Sequence, residues 1–332
     1  MRDVAHDGGH AMRKRPVVLV TRKLPEAVED RLRRDYEPRL NPRDRLYESD
    51  ELIALAAGAD ALLPCHTERL TAELIARLPE SVRAIANFSV GVDHVDLAAA
   101  RARGIIVTNT PDVLTDATAE LTILLMLGAA RRASEGERLV RSGQWNMWSP
   151  TFMMGTQVTG KRLGIIGMGR VGQVTARRAR GFDMTIHYHN RRRLPAELEA
   201  GAVYHKTPED LLPHCDFLAL HCPATPETHR FLDGMRIALL PDGAIVVNTA
   251  RGSVVDEEAL IAALKSGKLA AAGLDVYNNE PHINAAFWEL PNTFLLPHIG
   301  SATRETRDAM GFRALDNLDA IFAGHEPRDR VA

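Results

Sequence analysis

The chain has 332 residues, 45% hydrophobic and 25% charged, with a formal net charge of −2. That length is large for one hydrophobic core, so two domains are expected, and the near-neutral charge gives no reason to expect nucleic acid or a membrane surface as partner. Three cysteines, Cys65, Cys215 and Cys222, lack the paired spacing of a disulfide framework or a zinc site, which predicts a reducing, cytoplasmic setting and no metal.

Residues 1–15 are polar and lack the apolar middle of a signal peptide, so a disordered leader is expected there. No apolar run reaches the ~18 residues of a membrane span. From Pro16 the pattern alternates between short apolar runs and amphipathic stretches. Val17-Val18-Leu19-Val20 reads as a buried strand and Pro25 to Asp35 as a helix. Further runs at Ala61–Leu63, Ala84–Ala86 and Ile105–Val107 alternate with segments rich in Ala, Leu, Glu and Arg. Such alternation predicts a parallel sheet with crossover helices. A long helical periodicity then runs from Asp112 to about Gly143. It is followed by an irregular stretch, 144–160, carrying Trp145 and Trp148, which is expected to meet another surface. A second alternating set begins at Leu163, with strands read at Met184–Tyr188, Phe217–His221, Ala244–Asn248, Ala270–Asp275 and Thr293–Leu296. A final helix is expected over Ala302–Phe322. The fold class is therefore α/β, with two doubly wound parallel-sheet domains.

An apolar strand ends at Gly167 and a helix follows, so Gly167-Met168-Gly169-Arg170-Val171-Gly172 reads as a dinucleotide turn. The first glycine allows the tight turn, the second admits the pyrophosphate, and the third lets helix pack on strand. The next strand end, roughly twenty residues on, usually carries an acid in an NAD site. Here it reads His189-Asn190-Arg191-Arg192-Arg193. A carboxylate would repel a 2′-phosphate, whereas guanidinium groups bind it, so Asn190, Arg191 and Arg192 point to NADP(H).

Three later strand ends carry Arg251, Glu280 and His298. Singly, each reads as a surface arginine, a loop charge or a buried histidine. After a dinucleotide turn they supply what carbonyl reduction needs: a cation for a carboxylate and carbonyl, a proton donor, and an acid that holds the imidazolium.

The chain resembles the D-isomer-specific 2-hydroxyacid dehydrogenase family from Pro16 to about Gly324. The likeness rests on Ser89-Val90-Gly91-Val92-Asp93-His94, Val113-Leu114-Thr115-Asp116-Ala117-Thr118-Ala119-Glu120, the glycine turn, Asn248-Thr249-Ala250-Arg251-Gly252, Gly273-Leu274-Asp275-Val276 and Pro297-His298-Ile299-Gly300-Ser301-Ala302. Trp145 to Pro150, Gly160-Lys161 and the basic 189–193 turn are similar to the glyoxylate/hydroxypyruvate reductase branch. The resemblance implies a Rossmann cofactor domain, 111–300, inserted into a flavodoxin-like substrate domain made of 16–110 and 301–332. It implies Arg251, Glu280 and His298 as catalytic residues, and amides of Val90 and Gly91 as substrate-carboxylate donors. It further implies that Thr115, Cys222, Pro223, Thr228, Thr249, Ala250, Asp275 and Gly300 line the cofactor site beside the glycine turn. Asp275 also reads as a simple cap. The activity implied is NADPH-dependent reduction of a small 2-oxoacid, glyoxylate or hydroxypyruvate, to the D-2-hydroxyacid by a homodimer joined through 112–150. A 2-ketogluconate reductase and a dinucleotide-sensing corepressor-like protein are the alternatives. Glu280 argues against formate dehydrogenase chemistry.

Overall fold

The computed structural model describes residues 15–332, so apart from Arg15 the leader expected over 1–15 lies outside the described residues. The chain divides into two units, one reaching Pro111 and resuming over Arg307–Ala332, the other spanning Asp112–Thr306.

In the first unit, strands β1 (Val17–Val20), β2 (Glu37–Arg39), β3 (Ala61–Leu63), β4 (Ala84–Ala86) and β5 (Ile106–Thr108) form one sheet in the order β2-β1-β3-β4-β5. Every pairing is parallel. β1, β3 and β4 are buried along their whole length, as strands covered on both faces must be. The crossovers are α1 (Glu26–Asp35), α2 (Ser49–Leu55), α3 (Ala72–Arg77) and α4 (Leu97–Ala102). α1 shows why it forms: Val28 and Leu32 are buried, acids sit in its first turn and arginines in its last, complementing the helix dipole. The end of the chain covers the outer edge of β5, with Val331 N donating to Val107 O at 2.8 Å.

In the second unit, β6 (Arg162–Ile166), β7 (Thr185–His189), β8 (Val203–Tyr204), β9 (Phe217–Leu220), β10 (Ala244–Asn248), β11 (Leu269–Leu274) and β12 (Thr293–Leu295) order as β12-β11-β10-β9-β6-β7-β8, all parallel. Its helices are α5 (Thr115–Ala130), α6 (Ala133–Arg141), α7 (Arg170–Ala179), α8 (Ala196–Glu199), α9 (Pro208–Leu211), α10 (Gly234–Leu239) and α11 (Glu257–Ser266). Alternate residues of β9 and β10 feed two cores. Leu218, Leu220 and Val246 pack with Ile237, Leu260 and Leu264, while Phe217, Ala219 and Val247 pack with Leu125, Met126 and Ala176. The strand order reverses between β6 and β9, and ligands of doubly wound sheets bind at the carboxyl ends beside such a reversal. No helix among the described residues is long and apolar enough to cross a membrane.

Two features depart from expectation. The edge strands β2 (Glu-Pro-Arg) and β8 (Val-Tyr) carry no apolar run, because an edge buries little. The single helix expected over Asp112–Gly143 is broken between Ala130 and Ala133, where Arg132 takes φ 53°. No glycine or proline marks that break. The carbonyl freed there finds its partner far along the chain: Thr156 N donates to Ala130 O at 2.8 Å.

Candidate active site

The first glycine of the turn adopts φ 96°, and a Cβ there would lie 2.7 Å from Cys222 N and from His221 C, so only glycine lets β6 and β9 close this tightly. Gly167 N donates to His189 O at 3.1 Å, tying the turn to the end of β7. A Cβ on Gly169 would meet nothing within 4 Å. That open cradle lies at the start of α7, whose first turn holds no acid, so these residues fit the pyrophosphate of a dinucleotide. Arg170 and Val171 are the first two residues of α7, and Gly172 is buried one residue on.

The end of β7 is more divided than the run of cations suggests. Asn190 stands where an acid is usual, and its Oδ1 accepts from Met168 N at 2.7 Å, clamping the glycine turn. Arg191 and Arg192 are exposed. Arg193 is not available in the same way: its Nε and Nη2 donate to Glu199 at 2.7 and 3.0 Å. Tyr188 Oη donates to the same carboxylate at 2.6 Å, and with Arg193 it holds the Glu199 carboxyl down at about 2. Sequence reasoning missed Glu199, a buried acid whose only signal was its place in an otherwise exposed short helix.

The three strand-end residues lie in one unit and on linked turns. His298 Nδ1 is 2.6 Å from Glu280 Oε2, and Glu280 Oε1 accepts from Tyr277 N at 2.7 Å, so the acid is fixed to its own loop. Arg251 follows β10 in a turn held by Asn248, whose Oδ1 accepts from Ala250 N at 3.0 Å and whose Nδ2 donates to Arg251 O at 2.9 Å. The next residue, Gly252, packs so closely that a Cβ would lie 2.0 Å from Tyr277 C. This approach brings the Arg251 turn against the segment that carries Glu280. Asn248 and Gly252 were visible in the motif, but their work as a clamp and a contact point was not.

Asp275 follows β11 and bonds to backbone amides of the turn that carries His298. It is 1% exposed, and its Oδ1 and Oδ2 accept from Ile299 N at 2.7 Å and Gly300 N at 2.8 Å. These bonds hold His298 in the left-handed region at φ 54°, a conformation an ordinary residue keeps only when its surroundings impose it. Gly300 O accepts from Thr118 Oγ1 at 3.3 Å, anchoring the same turn to α5.

A second polar chain runs beneath the strand ends. Thr122 Oγ1 donates to Thr118 O at 2.9 Å and lies 3.1 Å from Thr249 Oγ1, which lies 3.2 Å from His221 Nδ1. Each hydroxyl has one proton, so Thr249 donates to Thr122 and His221 Nδ1–H donates to Thr249. Burial pushes the His221 imidazole down to about 4, keeping it neutral. Thr228 is likewise occupied locally: its hydroxyl donates to Pro223 O at 2.6 Å and accepts from Thr225 N at 2.8 Å, closing the loop after Cys222. Thr115 opens α5. Val90 and Gly91 belong to the first unit, where their loop is pinned through its carbonyls. Asn109 Nδ2 donates to Val90 O and Ser89 Oγ to Gly91 O, both at 2.8 Å.

The family model for the NAD-binding domain of D-isomer-specific 2-hydroxyacid dehydrogenases matches residues 123–300, more than half of the chain. The chain belongs to this family. It is 46% identical to a glycerate dehydrogenase of Hyphomicrobium methylovorum over 92% of this chain and 96% of that one. It is 44% identical to a glyoxylate reductase of Thermococcus kodakarensis, covering 94% and 95%. Among solved structures, it superposes with TM-score 0.85 on an NADPH-dependent glyoxylate/hydroxypyruvate reductase of Sinorhizobium meliloti bound to NADP and malonate. That pair is 35% identical and covers 96% and 97% of the two chains. As a member of the family, the protein is an NAD(P)-dependent D-2-hydroxyacid dehydrogenase.

Proposed function

We propose that the protein reduces a small 2-oxoacid, glyoxylate or hydroxypyruvate, to the D-2-hydroxyacid with NADPH as the preferred reductant. The observation that carries this reading is the 2.6 Å contact between His298 Nδ1 and Glu280 Oε2 beside the Arg251 turn. The bound nicotinamide supplies the hydride. With Nδ1 engaged by Glu280, His298 gives the carbonyl oxygen the proton carried on Nε2, and the Glu280 carboxylate stabilises the charged imidazole before transfer. Arg251 holds the substrate carboxylate and draws electron density from the carbonyl through charge-assisted hydrogen bonds. Gly167, Gly169, Arg170, Val171 and Gly172 receive the pyrophosphate. Thr115, Cys222, Pro223, Thr249, Ala250 and Gly300 line the nicotinamide half, while Thr228 supports that wall through Pro223.

The preference for NADPH rests on Asn190 in place of an acid and on Arg191 and Arg192, both exposed and not drawn to Glu199 as Arg193 is. The unit boundaries at Pro111 and Arg307 support a cofactor domain over 111–300 and a substrate domain built from 16–110 with 301–332. Trp145 and Trp148 are 56% and 74% exposed in the single chain, which supports burial of the 112–150 region in a homodimer.

The test is a kinetic panel of glyoxylate, hydroxypyruvate, pyruvate and 2-ketogluconate, each with NADPH and NADH. Glyoxylate or hydroxypyruvate with NADPH should give the highest kcat/KM. A maximum with 2-ketogluconate, or no turnover at all, would sink the assignment. Replacing Arg191 and Arg192 by alanine should raise KM for NADPH and leave that for NADH nearly unchanged.

A further inference from the structure

We propose that Asp112 sets the affinity of the dinucleotide site by competing with the cofactor pyrophosphate for Arg170; this rests on the reading that the pyrophosphate sits on the glycine turn. Arg170 is the first residue of α7, directly after the open cradle at Gly169, and its Nε is paired with Asp112 Oδ1. Asp112 is held for this contact in an unusual way. It takes φ 74°, and its carbonyl accepts from Thr115 N at 3.0 Å, turning the chain just before α5.

The pair is one rung of a charged ladder between α5 and α7. Farther along, Arg178 Nη2 lies 2.8 Å from Asp116 and 3.3 Å from Glu120, and Arg177 lies 3.8 Å from Asp116. These inner rungs join one helix to the other along their lengths. The Asp112 rung alone falls at the end of α7 where the backbone amides and the helix dipole await an anion. α7 has no acid of its own in that turn, and Asp112 brings a carboxylate to it from outside the helix.

A pyrophosphate on this helix end draws the same guanidinium. Arg170 then leaves Asp112, or the site holds carboxylate and phosphate charges around one cation; either way, binding gives up part of its electrostatic gain. Asp112 thus keeps Arg170 in place when the site is empty and loosens the dinucleotide once bound, which favours exchange of spent cofactor. The rung is solvent-accessible, with side-chain exposures of 69% and 43%, so its influence is modest and sensitive to salt.

Asp112→Asn removes the charge and retains the left-handed backbone, which asparagine adopts readily, and Asp112→Gly does the same with no side chain. Titration of wild type and variants with NADPH and NADH by fluorescence, at low salt and in 0.5 M KCl, reads the effect. Both variants should lower Kd about two- to fivefold at low salt, ~0.4–1 kcal/mol at ~1.4 kcal/mol per tenfold. The gain should shrink in high salt and disappear in an Arg170→Ala background. Asp116→Asn, which removes an acid from an inner rung, should change Kd by much less. An unchanged or raised Kd on losing the Asp112 charge would overturn the proposal. So would an equal gain from Asp116→Asn, or a gain that survives without Arg170. If wild type binds neither dinucleotide, the cofactor reading fails and this one with it; if it binds and the Asp112 variants do not respond, this one fails alone.

Discussion

Asp275→Asn is the most informative single substitution in the second unit. The aspartate is buried and gives one oxygen to Ile299 N and the other to Gly300 N, at 2.7 and 2.8 Å. Hydrogen bonds to a charged group contribute about 1.5–3 kcal/mol each. Asparagine keeps one acceptor, now neutral, and sets its NH2 against the other backbone N–H. The expected loss is therefore ~2–4 kcal/mol of folding stability, most of it from one lost bond and one buried donor without a partner. The catalytic effect follows from His298, whose left-handed backbone at φ 54° costs about 1–2 kcal/mol to maintain. Without both bonds the turn relaxes, and a displacement of ~1 Å at a reacting group is worth ~100-fold in rate. The measurement is urea unfolding together with kcat and a directly titrated NADPH Kd. The expected pattern is a lower midpoint, kcat down about a hundredfold, and Kd within about threefold of wild type. A variant with weakened NADPH binding but normal kcat would show that Asp275 acts on the cofactor rather than on the His298 turn.

Three further outcomes follow from the geometry. Gly252→Ala would place a methyl group 2.0 Å from Tyr277 C, against backbone that has no side chain to swing away. Turnover should fall at least tenfold and thermal unfolding should move down; wild-type values for both would refute the close approach. Asn190→Asp keeps an acceptor for Met168 N and puts a carboxylate at the strand end where NAD sites usually carry one, so the NADPH/NADH ratio of kcat/KM should fall at least tenfold, and an unchanged ratio would place the discrimination elsewhere. The rings of His187, His205 and His214 lie 5.1–5.3 Å apart, and burial, with its two neighbours, pushes His187 down to about 4. The unfolded chain takes up this proton near pH 6.5 and the folded one only near pH 4. His187 therefore supports the fold above about pH 6.5 and loses that contribution progressively as pH falls toward 4. Melting temperatures from pH 7.5 to 4.5 should fall less steeply for His187→Asn than for wild type; parallel curves would remove the imidazole from the acid response.

The central strands and the glycine turn were legible because both leave local marks. A strand buried on two faces must be an apolar run, as Ala-Leu-Leu at 61–63 is, and a backbone at φ 96° pressed on its neighbour must be glycine, as at 167. The roles of Arg251, Glu280 and His298 were approached through their position at strand ends. What stayed hidden depends on partners far along the chain. The carbonyl of Ala130 at the helix break is taken by Thr156, and the fate of Arg193 is decided by a buried Glu199. The two oxygens of Asp275 find their amides twenty-four and twenty-five residues later. A sequence pattern reports what a residue can offer, and only the fold reports who takes it.

The Glu199 anchor bears on how this enzyme could change over generations. One carboxylate gathers Arg193 and Tyr188, and the Tyr188 hydroxyl in turn accepts from Leu194 N, so the far side of the loop after β7 is built without help from residues 190–192. Mutations at the exposed 191 and 192 therefore change the charge of this loop on a scaffold that does not depend on them for its shape. The loop separates what must be inherited intact from what is open to selection, and a lineage can vary the charge it presents in small, individually foldable steps.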